Sequence, residues 1–109
     1  MAGNSTHPEE IRFWKVEFDP AGYASSSTWH ESIEAVEDIL QLHHVSSELV
    51  IDVGFYGRSY VVLVVENQHW DEPIGRVETA SRSELSDIVN ELVTVYAVRK
   101  SDDSRGSKD

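Results

Sequence analysis

The sequence contains no cysteine among its 109 residues. This absence excludes a disulfide framework, a thiolate metal site and a thiol nucleophile. No run of 18 apolar residues occurs either, so the sequence predicts no transmembrane helix and no membrane partner. The N-terminus, MAGNSTHPEE, is polar and acidic where a secretion signal is basic and then apolar. We therefore expect a cytoplasmic protein.

Basic side chains are scarce. Nine Lys and Arg stand against 20 Asp and Glu, which gives a formal net charge of -11 at pH 7. Nucleic-acid binding depends on Lys and Arg clusters that contact phosphates, so nucleic acid is not an expected partner. An acidic surface suits a basic protein partner, whose approach the field steers, a cytoplasm of high salt, or simple solubility. Solubility is the plainest of these three interpretations.

Motifs for catalysis are also lacking. The stretch GFYGRS, residues 54–59, has neither the following helix nor the lysine of a phosphate loop, and no G-x-S-x-G occurs. His30 and Glu34 have the spacing of two ligands in the H-E-x-x-H zinc pattern, but Glu34 replaces the second histidine and no third ligand is indicated. We therefore expect no enzyme, no metal and no cofactor. A metal-dependent hydrolase is the least favoured alternative.

Apolar periodicity covers the middle of the chain and not its ends. Residues 1–10 show none, and SDDSRGSKD, residues 101–109, has too few apolar side chains to offset the entropy of ordering. The sequence thus predicts a flexible N-terminus over 1–10, one domain over 11–100 and a flexible acidic and polar tail over 101–109.

Four stretches predict β-strands. IRFWKVEF (11–18) and ELVIDVGF (48–55) alternate as half-buried strands do. YVVLVV (60–65) is a continuous apolar run, which indicates a central strand shielded on both faces, and IGRVET (74–79) predicts a short strand at an edge. The alternation predicts inward side chains at Trp14, Val16 and Phe18 in the first strand and at Leu49, Ile51, Val53 and Phe55 in the second.

Two stretches predict amphipathic helices. Thr28 and Glu31 have the spacing of a capping box, and helical periodicity then continues to about His43 through Trp29, Ile33, Val36 and Leu40. SRSE (81–84) predicts a second capping box, followed by a stripe of Leu85, Ile88, Val89, Leu92 and Tyr96. The predicted fold is α+β with the order β-α-β-β-β-α, in which both helices pack on one face of an antiparallel sheet.

From the first helix onward, this order resembles that of the double-stranded-RNA-binding domain. The resemblance concerns topology alone, because the second helix carries Glu84, Asp87 and Glu91 where that family is rich in lysine. It implies a fold and no RNA-binding activity.

The predicted first helix carries four carboxylates and no Lys or Arg between Trp29 and His44. They are Glu31, Glu34, Glu37 and Asp38. Like charges three or four residues apart cost a few tenths of a kcal/mol each in a helix. Such a surface is typical either of an ordinary solvated face in an acidic protein or of a site that docks a basic partner.

A second candidate site is aromatic. Trp70 lies in a polar stretch, and Tyr56 and Arg58 lie in the predicted hairpin loop. Aromatic residues and Arg are enriched at binding hot spots, although Trp70 would equally cover a sheet edge. The strand register places Trp70 at the opposite end of its strand from Tyr56 and Arg58, so we do not expect the three to form one patch.

These features lead to the hypothesis of a small acidic binding module that occludes or regulates a basic protein. In size, charge and lack of catalytic motifs it resembles immunity proteins and antitoxins. The alternative hypothesis is an accessory or structural subunit of halophilic or viral origin, whose charge is a salt adaptation and marks no site. The sequence also allows a homodimer through the free edge of residues 74–79.

Overall fold

The computed structural model describes residues 8–26 and 28–106, with side chains described up to residue 97. One five-stranded antiparallel sheet has the strand order β1-β2-β3-β4-β5, and one α-helix follows it. The elements are β1 (Trp14–Phe18), β2 (Leu40–His44), β3 (Leu49–Tyr56), β4 (Ser59–Glu66), β5 (Gly75–Thr79) and α1 (Arg82–Gly106). Short 3-10 helices cover Glu9–Phe13, Tyr23–Ser25 and Trp29–Ser32. The fold class is α+β.

The first predicted helix, over residues 29–43, is wrong. A 3-10 helix covers Trp29–Ser32, where Thr28 makes no side-chain capping bond, and an irregular segment leads into β2. A helix here would bring four carboxylates together at three- and four-residue spacing. A strand instead pairs with β1 on one side and with β3 on the other, which satisfies the backbone groups of residues 40–44.

The strand β2 contains the alternation that the helical interpretation overlooked. Leu40, Leu42 and His44 are buried, while Gln41 and His43 between them lie on the other face. The order is therefore β-β-β-β-β-α, and the resemblance to the double-stranded-RNA-binding domain does not hold.

The helix-covered face of the sheet holds the core. It buries the predicted inward residues of β3, with Phe55 half-buried, together with Val62 and Val64 of β4. The helix α1 covers this face through Leu85, Val89, Val93 and Tyr96. Its N-terminus is capped by Ser81, whose Oγ accepts a hydrogen bond from the Glu84 N–H at 3.2 Å. The second predicted helix is thus present at its predicted start.

Three aromatic side chains join the segment before β2 and the strand β1 to α1. Trp29 Nε1 donates to Ser86 Oγ at 2.9 Å, and Trp14 Nε1 donates to the Val93 carbonyl at 3.1 Å. The Tyr23 hydroxyl donates to Asn90 Oδ1 at 2.7 Å. Each large ring thereby buries its apolar surface and satisfies its polar atom.

A bulge at the end of β1 reverses one prediction. The register shifts between Val16 and Phe18, so Phe18 lies opposite Gln41 on the face that α1 does not cover. Phe18 is consequently 46% exposed. The bulge adds one residue to β1 that has no partner in β2, and this places the Phe18 side chain on the other face.

The strand β4 lies between β3 and β5, as its continuous apolar run predicted, and β5 lies at an edge. No helix within the described residues is long and apolar enough to cross a bilayer. The helix α1 continues to Gly106, inside the predicted tail, and the division into 1–10, 11–100 and 101–109 stays a prediction. Residues 1–7 and 107–109 of the predicted ends lie outside the described residues.

Candidate functional site

The irregular segment 33–39 lies against β3 beyond the end of β1. The Ile39 N–H donates to the Val53 carbonyl at 2.9 Å, and the Phe55 N–H donates to the Val36 carbonyl at 2.8 Å. Between these bonds the backbone passes so close to Gly54 that a Cβ there would lie 2.1 Å from the Glu37 carbonyl oxygen. Only glycine permits this approach without movement of the backbone.

This arrangement gathers an acidic corner, which we define as Glu34, Glu37 and Asp38 of the segment together with Asp52 of β3. Three large exposed apolar side chains also lie in this region, Phe18, Val36 and Tyr56, and each is 45–46% exposed. Charged groups mixed with exposed aromatic and aliphatic surface are typical of a site for a protein partner.

Hydrogen bonds hold two members of the corner, Glu37 and Asp52, in place. The Tyr56 hydroxyl donates to the Glu37 carbonyl at 3.2 Å, which ties β3 to the segment. Gln41 Nε2 donates to Asp52 Oδ1 at 3.0 Å. The other amide atom, Gln41 Oε1, lies 2.9 Å from His43 Nε2, so one amide connects the acidic corner to the next histidine along β2.

The pKa values of two groups show that negative potential converges here. Burial raises the pKa of Asp52 above its ordinary value, and the charge of Asp38 raises it further, while the hydrogen bond from Gln41 opposes both. The pKa of the Tyr56 hydroxyl is also raised, first by burial and then by Asp52, Asp38 and Glu37. The three carboxylates therefore act on a common region of space.

Two shallow clefts lie on either side of Asp38. One, of about 120 Å³, is lined by Pro20, Ala21, Ser32, Glu34, Val36, Asp38 and Ile39. The other, of about 260 Å³, is lined by Phe18, Asp38, Leu40, Gln41 and Asp52. Both are smaller than the roughly 300–1,000 Å³ of small-molecule sites. They suit individual side chains of a partner better than a cofactor.

No carboxylate of the acidic corner takes part in an ion pair within the described part of the chain. The ion pairs found there join Arg12 to Glu9, Lys15 to Glu17 and Arg76 to Glu78. Arg82 reaches the start of this segment, but it donates to the Ile33 carbonyl at 3.3 Å and so bonds backbone instead of a carboxylate. Glu34, Glu37 and Asp38 are exposed and Asp52 is half-buried, so most of the negative charge of the corner faces outward.

The structure brings together four of the seven predicted site residues: Glu34, Glu37, Asp38 and Tyr56. Arg58 follows in the β3–β4 turn and is exposed, and Glu31 lies on the 3-10 helix Trp29–Ser32. Trp70 is 45% exposed in the loop after β4, at the other end of that strand from Tyr56.

Three members of the site region were not predicted: Asp52, Phe18 and Val36. Asp52 had a detectable signal, because it is the one charged residue inside the alternating strand 49–56. Phe18 had none, since its exposure depends on a bulge. The prediction had assigned Val36 to the buried stripe of a helix that does not form.

A third cleft, of about 340 Å³, lies near Trp70. It is lined by His43, His44, Ser47, Glu48, Leu49, Val50, Gln68 and Trp70. Gln68 and the preceding Asn67 have positive φ angles of 64° and 56°, so this turn holds two non-glycine residues in the left-handed region. It is a separate feature from the acidic corner.

No group of three or more His, Asp or Glu able to hold a metal ion occurs among the residues for which the structure gives positions. Comparison of the chain with protein-family models, curated proteins and solved structures finds no match.

Proposed function

We propose that this chain is a protein-binding module whose acidic corner docks a basic segment of a partner protein and thereby occludes or regulates it in the cytoplasm. The observation that supports the proposal is the combination of four carboxylates outside every described ion pair with three exposed apolar side chains in one region. Charge supplies steering, and the apolar surface supplies affinity.

Magnitudes show why both components are needed. An exposed ion pair contributes roughly 0.2–1 kcal/mol, so four such pairs give at most about 4 kcal/mol. Micromolar binding requires about 8.2 kcal/mol. Each half-exposed apolar side chain has about 1 kcal/mol of burial left to gain, since full burial contributes roughly 1.5–3 kcal/mol. The carboxylates alone are therefore insufficient, and the partner should offer apolar groups next to its cations.

The test uses a model peptide in which Lys and Arg alternate with Leu, titrated into the full chain and followed by NMR. We expect the largest amide shifts in the segment 33–39 and around Asp52 and Tyr56. A peptide with Glu in place of Lys and Arg should produce no such shifts.

Two variants of equal net charge separate a site from bulk charge. The first combines Glu34→Gln, Glu37→Gln and Asp38→Asn. The second removes three exposed carboxylates elsewhere, with Glu48→Gln, Asp71→Asn and Glu72→Gln. We expect the first variant to weaken binding at least tenfold and the second to bind nearly as the unmodified chain does. Equal weakening in both would refute a localised site.

The second candidate function is a salt-adapted accessory or structural subunit whose charge marks no site. Burial is the main cause of the raised pKa of Asp52, and the neighbouring charge of Asp38 adds to it. This repulsion between Asp38 and Asp52 favours the second interpretation, because salt screens it. Thermal unfolding in dilute buffer and in multimolar KCl distinguishes the candidates. KCl should raise the Tm of the unmodified chain if the charge is a salt adaptation. If both charge variants abolish this rise to the same extent, the result would support salt adaptation over a docking site.

A further inference from the structure

The strand β5 is an edge strand with one open side. It pairs with β4 through Tyr60–Thr79 to Val64–Gly75, and no other strand within the described residues pairs with it. Arg76 and Glu78 are exposed, and Val77 between them is half-buried. No proline lies within the strand. Its outer backbone groups are therefore available to a further strand.

The opposite edge is different. In β1 a bulge between Val16 and Phe18 interrupts the regular ladder. Bulges of this kind protect sheet edges against additional pairing. A further strand is therefore expected at β5 and not at β1.

We propose that β5 pairs antiparallel with β5 of a second copy of this chain, about a two-fold axis at Val77. This inference uses no residue of the acidic corner, whose one strand residue, Asp52 of β3, lies two strand spacings from β5, or roughly 10 Å. An isologous pair of identical strands satisfies the hydrogen bonds of both edges at once.

The charges of β5 select this register. Arg76 and Glu78 form an ion pair within one chain. With the axis at Val77, Arg76 of each copy also lies directly opposite Glu78 of the other, on the same face of the sheet. Opposite charges in this position stabilise a strand pair, and like charges destabilise it. Moving the axis by one residue either way places Arg76 against Arg76 or Glu78 against Glu78. Arg76 and Glu78 therefore both favour the register centred on Val77 and oppose the two registers centred one residue away.

The flanking side chains agree with the same register. Val77 meets its own copy at the centre on the helix-covered face. Ile74, which is 47% exposed and directly precedes β5, would come close to Ala80, which directly follows β5 in the second copy. The pairing thus covers an apolar side chain that the single chain leaves in water.

The expected association is weak, because one five-residue strand gives a small interface and each copy carries a charge of -11. We expect a dissociation constant on the order of 1–100 µM in about 0.15 M salt, where the Debye length is about 8 Å. Sedimentation velocity over a concentration series measures it.

The decisive test exchanges the two charges in separate chains. The variant Arg76→Glu alone and the variant Glu78→Arg alone each place like charges opposite one another, so each should be monomeric at 100 µM. An equimolar mixture of the two should form a heterodimer, because both cross-strand pairs are then attractive. The chain carrying both substitutions should dimerise as the unmodified chain does.

Unfolding of a variant would also abolish its dimer, so circular dichroism is used to check that each variant is folded. Two unfolded variants would not form a heterodimer when mixed. The proposal is overturned if the unmodified chain stays monomeric to 1 mM, or if the mixture contains no heterodimer. It is also overturned if either single variant dimerises undiminished. The triple variant at Glu34, Glu37 and Asp38 lowers the negative charge of each copy and should not weaken the dimer, so failure of either proposal is distinguishable from failure of the other.

Discussion

Replacing Gly54 by Ala tests how the acidic corner is held together. The added Cβ would lie 2.1 Å from the Glu37 carbonyl oxygen and 2.8 Å from Tyr56 Cε2. Ordinary contact is 3.4–4 Å, so the segment must move by more than 1 Å or the strand must bend. Overpacking of this kind costs about 1–3 kcal/mol. We expect a loss near the upper value, because a backbone oxygen moves less easily than a flexible side chain.

The sign of the effect makes this substitution informative. The φ angle of Gly54 is not in the left-handed region, so alanine has no backbone penalty there. If space were available, alanine would stabilise a strand interior by roughly 0.5–1 kcal/mol. Close approach predicts the opposite, a loss of about 2–3 kcal/mol and a fall in Tm of roughly 10–20 °C in a domain of this size.

Urea denaturation and thermal unfolding measure the effect, and NMR titration with the basic peptide reports on the corner. The control is Gly57→Ala, where φ is 66° and no atom lies within 4 Å of the added Cβ. That variant should lose about 1 kcal/mol of stability from backbone strain and bind the peptide normally. A Gly54→Ala chain as stable as the unmodified one would refute the reasoning.

Three further substitutions have defined expected outcomes. Gln68→Gly should raise the free energy of unfolding by roughly 0.5–1 kcal/mol in urea denaturation, because glycine removes the strain of a φ of 64°. An unchanged or lower free energy of unfolding would show that this turn is not strained. Burial raises the pKa of Asp52, so the folded chain binds that proton more tightly than the unfolded chain, and stability declines as pH rises through the raised pKa. Asp52→Asn keeps an acceptor for Gln41 Nε2 and should therefore stabilise by roughly 0.5 kcal/mol at pH 7, after allowance for solvent screening, and by nothing at pH 3. A gain of equal size at both pH values would contradict this origin. Trp29→Phe removes the donor to Ser86 Oγ inside the core and should lower the free energy of unfolding in urea by about 2 kcal/mol. A decrease below about 0.5 kcal/mol would show that this hydrogen bond contributes little to stability.

The local pattern of the sequence was enough to locate strands whose alternation is strict. Leu49, Ile51 and Val53 lie inward as predicted, and the apolar run 60–65 lies between two other strands. Ser81 caps α1 at the predicted residue, since capping depends on neighbours within four positions along the chain. These features can be predicted without knowing which distant residues they contact.

The segment 29–44 shows where local pattern is ambiguous. Trp29 and Ile33 are buried as a helical stripe requires, but Leu40 and Leu42 also satisfy the alternation of a strand. The two periodicities overlap in a short segment. The choice was decided by β1 and β3, which offer backbone partners on both sides of residues 40–44.

The sequence by itself determined the excess of negative charge, the identity of the carboxylates and the strands with strict alternation. Tertiary structure alone decided that Asp52 joins Glu37 and Asp38, that Gly54 lets the backbone approach, and that Phe18 turns outward at a bulge. The physical reason is how far apart along the chain the interacting residues lie. Charge, capping and alternation are properties of a few consecutive residues. The acidic corner instead depends on the pairing of Ile39 with Val53 and of Val36 with Phe55, which are 14 and 19 residues apart, and no local pattern encodes this pairing.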